Sequence, residues 1–137
     1  MPFYPDAETF YGFMNDLFSQ VMATPDLLKP LRDGKVLLRI STSQPNTILV
    51  VDGRSVPPRF LIGKTPDGKV DVGLSLAADV LHNVWLGKIG LRDAYLAGKI
   101  RLDSSPLKAL SLMMGLLEMF HFVEGLYPGV LQKRGLL

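Results

Sequence analysis

The sequence predicts a single α+β domain, and three features of its patterning carry that reading. A central block from Val36 to Gly73 alternates apolar and polar residues with the period of two that marks strands. The segments on either side change to the helical period. The connections within the block are too short for the crossover helices of a parallel sheet. At 137 residues the chain has the size of one domain and can bury a core without disulfides or metals.

The elements follow in order. Phe10, Phe13, Met14, Leu17, Phe18, Val21 and Met22 recur at helical spacing, with Asp6 as a candidate N-cap and Pro25 as the stop. In Val36–Ile40 the apolar residues alternate with Leu37 and Arg39, which places Val36, Leu38 and Ile40 on one face of a strand. Ser43-Gln44-Pro45-Asn46 reads as a turn, and Thr47–Val51 as the second strand, closed by Asp52-Gly53. A third strand runs from Arg59 to Ile62, after Pro57-Pro58. Thr65-Pro66-Asp67-Gly68 is a turn and Lys69–Gly73 a fourth strand, and this succession predicts an antiparallel meander.

Beyond it, Ser75 is expected to cap a helix carrying Leu76, Val80, Leu81, Val84 and Trp85, stopped by Gly87. A short helix spans Leu91 to Ala97, ended by Gly98, and Lys99–Asp103 is a fifth strand. Ser105 and Pro106 read as N-cap and first residue of a long helix. Its polar positions, Lys108, Ser111, Gly115 and Glu118, form one narrow strip, so nearly all of its surface needs cover. Tyr127-Pro128-Gly129 is expected to break that helix. The apolar tail beyond, Val130, Leu131, Leu136 and Leu137, is then a lid over a cavity, a membrane contact or cover for the core edge.

Composition excludes several function classes. Hydrophobic residues make up 47% of the chain, which is incompatible with wholesale disorder. With no cysteine there is no disulfide, thiol chemistry or thiolate-bound metal, which fits a reducing compartment; a cytoplasmic location is expected. A net charge of +2 without a basic run argues against nucleic acid as a partner. The first residues, Met1-Pro2-Phe3-Tyr4-Pro5-Asp6, have neither a basic nor an apolar stretch of the kind a signal peptide carries. The most apolar run, Ala109–Val123, is shorter than the roughly 20 residues of a membrane span.

Catalytic and metal motifs are weak. Gly73-Leu74-Ser75-Leu76-Ala77 has the outline of a nucleophile elbow, but the strand block lacks the βαβ alternation that such an elbow needs, and Ser75 is read as a cap. Asp79-x-x-His82 and Glu118-x-x-His121 each bring a carboxylate and an imidazole to one helix face, without the further inward glutamates of a di-metal bundle. They are read as hydrogen-bonding or ion-paired histidines. No enzyme activity, cofactor or metal is expected. Trp85 is expected to anchor the core.

The order of Gly68-Lys69-Val70-Asp71-Val72, Leu74-Ser75, Leu86-Gly87-Lys88-Ile89 and Ala94-Tyr95-Leu96-Ala97-Gly98-Lys99-Ile100-Arg101-Leu102 resembles the sterol carrier protein 2 family over most of the chain. Ser104 and Ser105 stand where that family often has Gly-Asp. The resemblance implies a five-stranded, mostly antiparallel sheet with helices packed on one face and an apolar tunnel between. It implies a lipid as partner: a fatty acid, acyl-CoA, sterol, phospholipid or isoprenoid. Transient membrane contact for exchange is expected from the tail. The expected wall is Phe13, Leu17, Leu81, Trp85, Leu110, Met113, Met114, Leu117 and Phe120. The alternatives are a protein-interaction or homodimerisation module using an exposed apolar helix, and an accessory domain presenting lipid or quinone precursors to an enzyme.

Overall fold

Asp6 opens the first helix, α1 (Ala7–Met22): its carboxylate accepts from the Thr9 amide at 2.7 Å. The computed structural model of the protein describes residues 2–104 and 106–135, without the side chains of residues 104, 106, 108–111, 113 and 114. The expected cap at Ser105 lies outside the described residues. Pro25 does more than end α1. It sits in the first turn of a second helix, α2 (Pro25–Asp33), which the sequence reading missed.

Five strands follow the expected order: β1 (Leu37–Ser43), β2 (Thr47–Asp52), β3 (Arg59–Ile62), β4 (Val72–Ala77) and β5 (Ile100–Ser104). They form one sheet in the order β3-β2-β1-β4-β5. The sheet is mostly antiparallel, as expected, but the meander stops at β3. Strand β4 crosses to the far side of β1 and pairs with it in parallel, Ile40 opposite Leu74 and Ser41 opposite Ser75. The crossing is locked at Asp71, whose amide donates to the Leu37 carbonyl and whose carboxylate accepts from the Leu37 amide.

This shift corrects the expected cap at Ser75. Pairing with β1 and β5 carries the strand through Ala77, so Ser75 lies mid-strand and its hydroxyl meets Asp103 at 3.3 Å. Helix α3 (Ala78–Trp85) starts afterwards, with no side-chain cap. Helix α4 (Leu91–Leu96) precedes β5, and α5 (Pro106–Lys133) closes the described chain.

The helices pack on one face of the sheet. Leu38, Ile40, Leu49, Val51, Leu74, Leu76 and Ile100 share a core with Phe10, Phe13, Leu17, Leu81, Trp85, Phe120 and Tyr127. The expected break in α5 does not occur. Pro128 cannot donate a hydrogen bond, yet the helix runs through it because Tyr127, Val130 and Leu131 are buried. Arg134 then clasps α1, its guanidinium on Asp16 and on the Gly12 carbonyl. Val130 and Leu131 therefore cover core, while Leu136 and Leu137 lie outside the described residues. As expected of one small sheet, the fold by itself does not cover α5 all round: Leu107 is 82% and Leu117 40% exposed. No helix among the described residues is long and apolar enough to cross a membrane.

A buried hydroxyl chain ties both ends of the described chain to α3. Tyr4 Oη lies 2.5 Å from Tyr127 Oη, which lies 2.6 Å from His82 Nδ1. Phe3 stacks on the His82 ring at 3.8 Å, and its amide donates to Asp79. Burial holds both phenols far above their ordinary range, so they remain hydroxyl donors. Tyr127→Phe leaves both neighbours without their shared partner, and should cost about 1–3 kcal/mol in urea unfolding. Desolvation lowers the pKa of His82 below 6.5, so the folded state favours neutral imidazole. The stability this carries is present above about pH 6.5 and is lost as pH falls through that value toward the folded pKa. Unfolding midpoints from pH 7.5 to 5 should show that loss in the native sequence and a flatter profile in His82→Gln.

Candidate functional site

Helix α3 ends in a tight corner that shapes the site. Gly87 adopts φ +77°, its amide returning to the Val84 carbonyl and the Lys88 amide to Asn83. The chain then turns through Ile89 and Gly90 into α4. Helix α5 passes opposite this corner.

Between them lies a cleft of about 350 Å³ lined by Val84, Gly87, Ile89, Gly90, Leu91, Leu117, Phe120, His121 and Glu124. Five of these residues are apolar side chains that form a continuous wall. His121 and Glu124, one helical turn apart, supply its polar part. Glu124 also folds over Gly87: a Cβ built there would lie 2.7 Å from its Oε1. The mixture is that of an amphiphile site, apolar area with a few polar groups to orient one end.

Of the residues expected to form the wall, Leu117 and Phe120 line this cleft. Trp85 sits beside it, its ring 5.7 Å from that of Phe120, and is essentially fully buried as expected of an anchor. Leu81, Phe13 and Leu17 are buried in the shared core and are not among the lining residues. The side chains of Leu110, Met113 and Met114 lie outside the described residues. Ile89 and Leu91 were missed. Their signal was present, two aliphatics flanking a glycine beside the helix stop at Gly87, but only the packing of α5 against the corner gives it meaning.

The two carboxylate-histidine pairs separate. His82 belongs to the hydroxyl chain with Asp79 on Phe3, whereas His121 is exposed at the cleft. Among the described residues no group of three or more His, Asp or Glu is clustered to hold a metal. Ser75, the candidate nucleophile, stands on the sheet with its hydroxyl on Asp103, and neither residue lines the cleft.

No family model matches the chain, and no curated protein matches it in sequence. Solved structures do match. The sterol carrier protein domain 2 of Helicoverpa armigera superposes with a TM-score of 0.62 at 16% identity, over 85% of this chain and 87% of that one. Sterol carrier protein 2 from Yarrowia lipolytica gives 0.58 at 16% identity, over 81% and 88%. This chain has the sterol carrier protein 2 fold. A ubiquinone synthesis protein, UbiJ, shares the fold at a TM-score of 0.51 and 14% identity, over 74% of this chain and 80% of that one. At such identities the likeness is one of fold, and it is the fold expected from the order of the sequence motifs.

Gly87 is where the corner and the cleft depend on a missing side chain. Gly87→Ala forces a left-handed conformation on an L-residue and displaces Glu124. It should lower stability by about 1–2 kcal/mol in chemical denaturation.

Proposed function

We propose that the protein is a noncatalytic lipid carrier that takes an apolar chain or ring system into the cleft between α5 and the α3–α4 corner. The observation that carries the reading is that cleft, walled by Val84, Ile89, Leu91, Leu117 and Phe120, in a chain with the sterol carrier protein 2 fold. At roughly 30 Å³ per water-sized group, its volume corresponds to about a dozen non-hydrogen atoms. That is enough for one segment of a fatty acid, acyl-CoA, sterol, phospholipid or isoprenoid.

Binding in this reading is desolvation. Each methylene moved from water contributes roughly 0.8 kcal/mol, offset by the lost freedom of the ligand. His121 and Glu124 orient the polar end. Leu81 and Trp85, with Phe13 and Leu17, are proposed as the deeper wall, and Leu110, Met113 and Met114 as its continuation along α5. Ligand exchange is proposed to occur at a membrane surface.

A second reading, contact with a protein, is favoured by the exposure of Leu107 and Leu117 on α5. It includes a homodimer and an accessory domain that hands a lipid or quinone precursor to an enzyme. The last form draws on the likeness to the ubiquinone synthesis protein.

Leu117→Glu separates these readings, because a carboxylate in the apolar wall penalises an apolar ligand while this half-open position tolerates it in the fold. Affinity for a fluorescent fatty-acid probe should fall by about tenfold or more, with far-UV circular dichroism unchanged. Unchanged probe affinity in the folded variant would remove the cleft from the function. Ligand-free protein that sediments as a dimer, and becomes monomeric in Leu107→Glu, would favour protein contact instead.

A further inference from the structure

The face of the sheet that points away from the helices carries an arginine, Arg39, that no carboxylate among the described residues engages in an ion pair. Residues paired across strands point the same way. Because Leu38, Ile40, Leu74 and Leu76 face the core, the opposite face presents two adjacent rows. One row runs Leu61, Val50, Arg39, Gly73 and Asp103; the other runs Ile48, Ser41, Ser75 and Arg101.

Every other arginine at this face has a carboxylate. Arg54 and Arg59 share Asp52 at 2.9 and 3.0 Å, and Arg101 holds Asp103 at 3.0 Å. Arg39 has no hydrogen-bond or ion-pair partner among the described residues, and its Nε is buried unsatisfied. A half-buried guanidinium in that state is costly unless an acceptor comes from elsewhere.

The surroundings suit an oxyanion. Ser41 and Ser75 stand in the next row, one on the same strand as Arg39 and one beside it, and both are partly exposed. Gly73 is buried between Arg39 and Asp103, where an added Cβ would meet the Asp103 carbonyl at 3.0 Å and the Val70 side chain at 3.6 Å. Arg101, which is largely exposed, adds a second guanidinium. Asp103 is the one opposing charge in the two rows; it is engaged by Arg101 and the Ser75 hydroxyl, and it feels the charge of Arg39 without bonding to it. Two cations against one anion leave the patch net positive.

We propose that this partly exposed sheet face binds a phosphate group, received by the Arg39 guanidinium, the Ser41 hydroxyl and Arg101, with the long Ser75–Asp103 contact free to turn toward it. Several donors spread over adjacent strands match tetrahedral oxygens better than the two oxygens of a carboxylate. The site is independent of the cleft, which lies on the helix side. Its phosphate belongs either to a soluble phosphorylated molecule or to a lipid headgroup.

The test is an amide NMR titration with inorganic phosphate at constant ionic strength, so that screening does not change. In the native sequence, shifts should concentrate at Ser41, Gly73 and Ser75 and saturate. Arg39→Gln should weaken the response by about tenfold or more. Arg32→Gln, the same charge change on α2, should leave it unchanged. Equal binding by Arg39→Gln, or no response at the sheet face, overturns the proposal. If Arg39→Gln does not fold by circular dichroism, the double variant Ser41→Ala, Ser75→Ala takes its place and must also weaken binding. Vesicles of phosphatidic acid in phosphatidylcholine, against phosphatidylcholine alone, then separate the sources. Arg39-dependent binding to the former supports a headgroup; phosphate binding without vesicle binding supports a soluble ligand.

Discussion

Helix α5 has to lie along the whole helical layer, and most of the structure is arranged to let it. Leu116, Met119, Phe120, Val123, Tyr127, Val130 and Leu131 are its buried stripe, spaced by threes and fours. Gly115 lets the helix approach α2, where a Cβ would sit 2.8 Å from Pro30. Near its end Tyr127 joins Tyr4 and His82, and Arg134 joins Asp16. These attachments fix the helix against three different elements. The burial of the last two turns also outweighs the hydrogen bond that Pro128 removes.

The two faces of the sheet do different work because of this arrangement. On the helix side, apolar rows meet α1, α3 and α5, and a cleft opens at the corner where Gly87 ends α3. The cleft is thus a by-product of a turn: α4 diverges from α3, and α5 cannot fill the space between. On the other side no helix packs among the described residues; there Asp52 pairs two arginines and Asp103 one, and Arg39 is left over.

Features set by neighbours in sequence were legible in the sequence. The Asp6 cap, the stops at Gly87 and Gly98 and the second and third strands are local and were found where expected, and the first strand was found too, though it runs on to Ser43 at the start of the expected turn. Features set by distant pairing were not. Ser75 is as good a cap as any serine, and only the rung it shares with Ser41 and Arg101 makes it a strand residue, although the alternation Val70, Val72, Leu74, Leu76 continued past Gly73. Pro128 and Gly129 are breakers by any local rule, and what overrides them is burial against distant residues, Tyr4, Phe13, His82 and Trp85 around Tyr127. The cleft was legible in part for the same reason. Leu117 and Phe120 lie on a helix whose apolar character is evident, while Ile89 and Leu91 gain their role only from the corner.

The link between Tyr4 and Tyr127 spans 123 positions, and it has a consequence for how the chain acquires its form. The first buried aromatic and one of the last are partners, so the core cannot close before Tyr127 has been made. Strands β1 to β3 and helix α1 can order early through near-neighbour contacts, but Tyr4 waits for Tyr127, and α1 waits for Arg134. Loop closure over such a separation is entropically expensive and comes late. During synthesis the aromatic face of α1 stays uncovered until α5 emerges. That nascent apolar surface is what a ribosome-associated chaperone would meet.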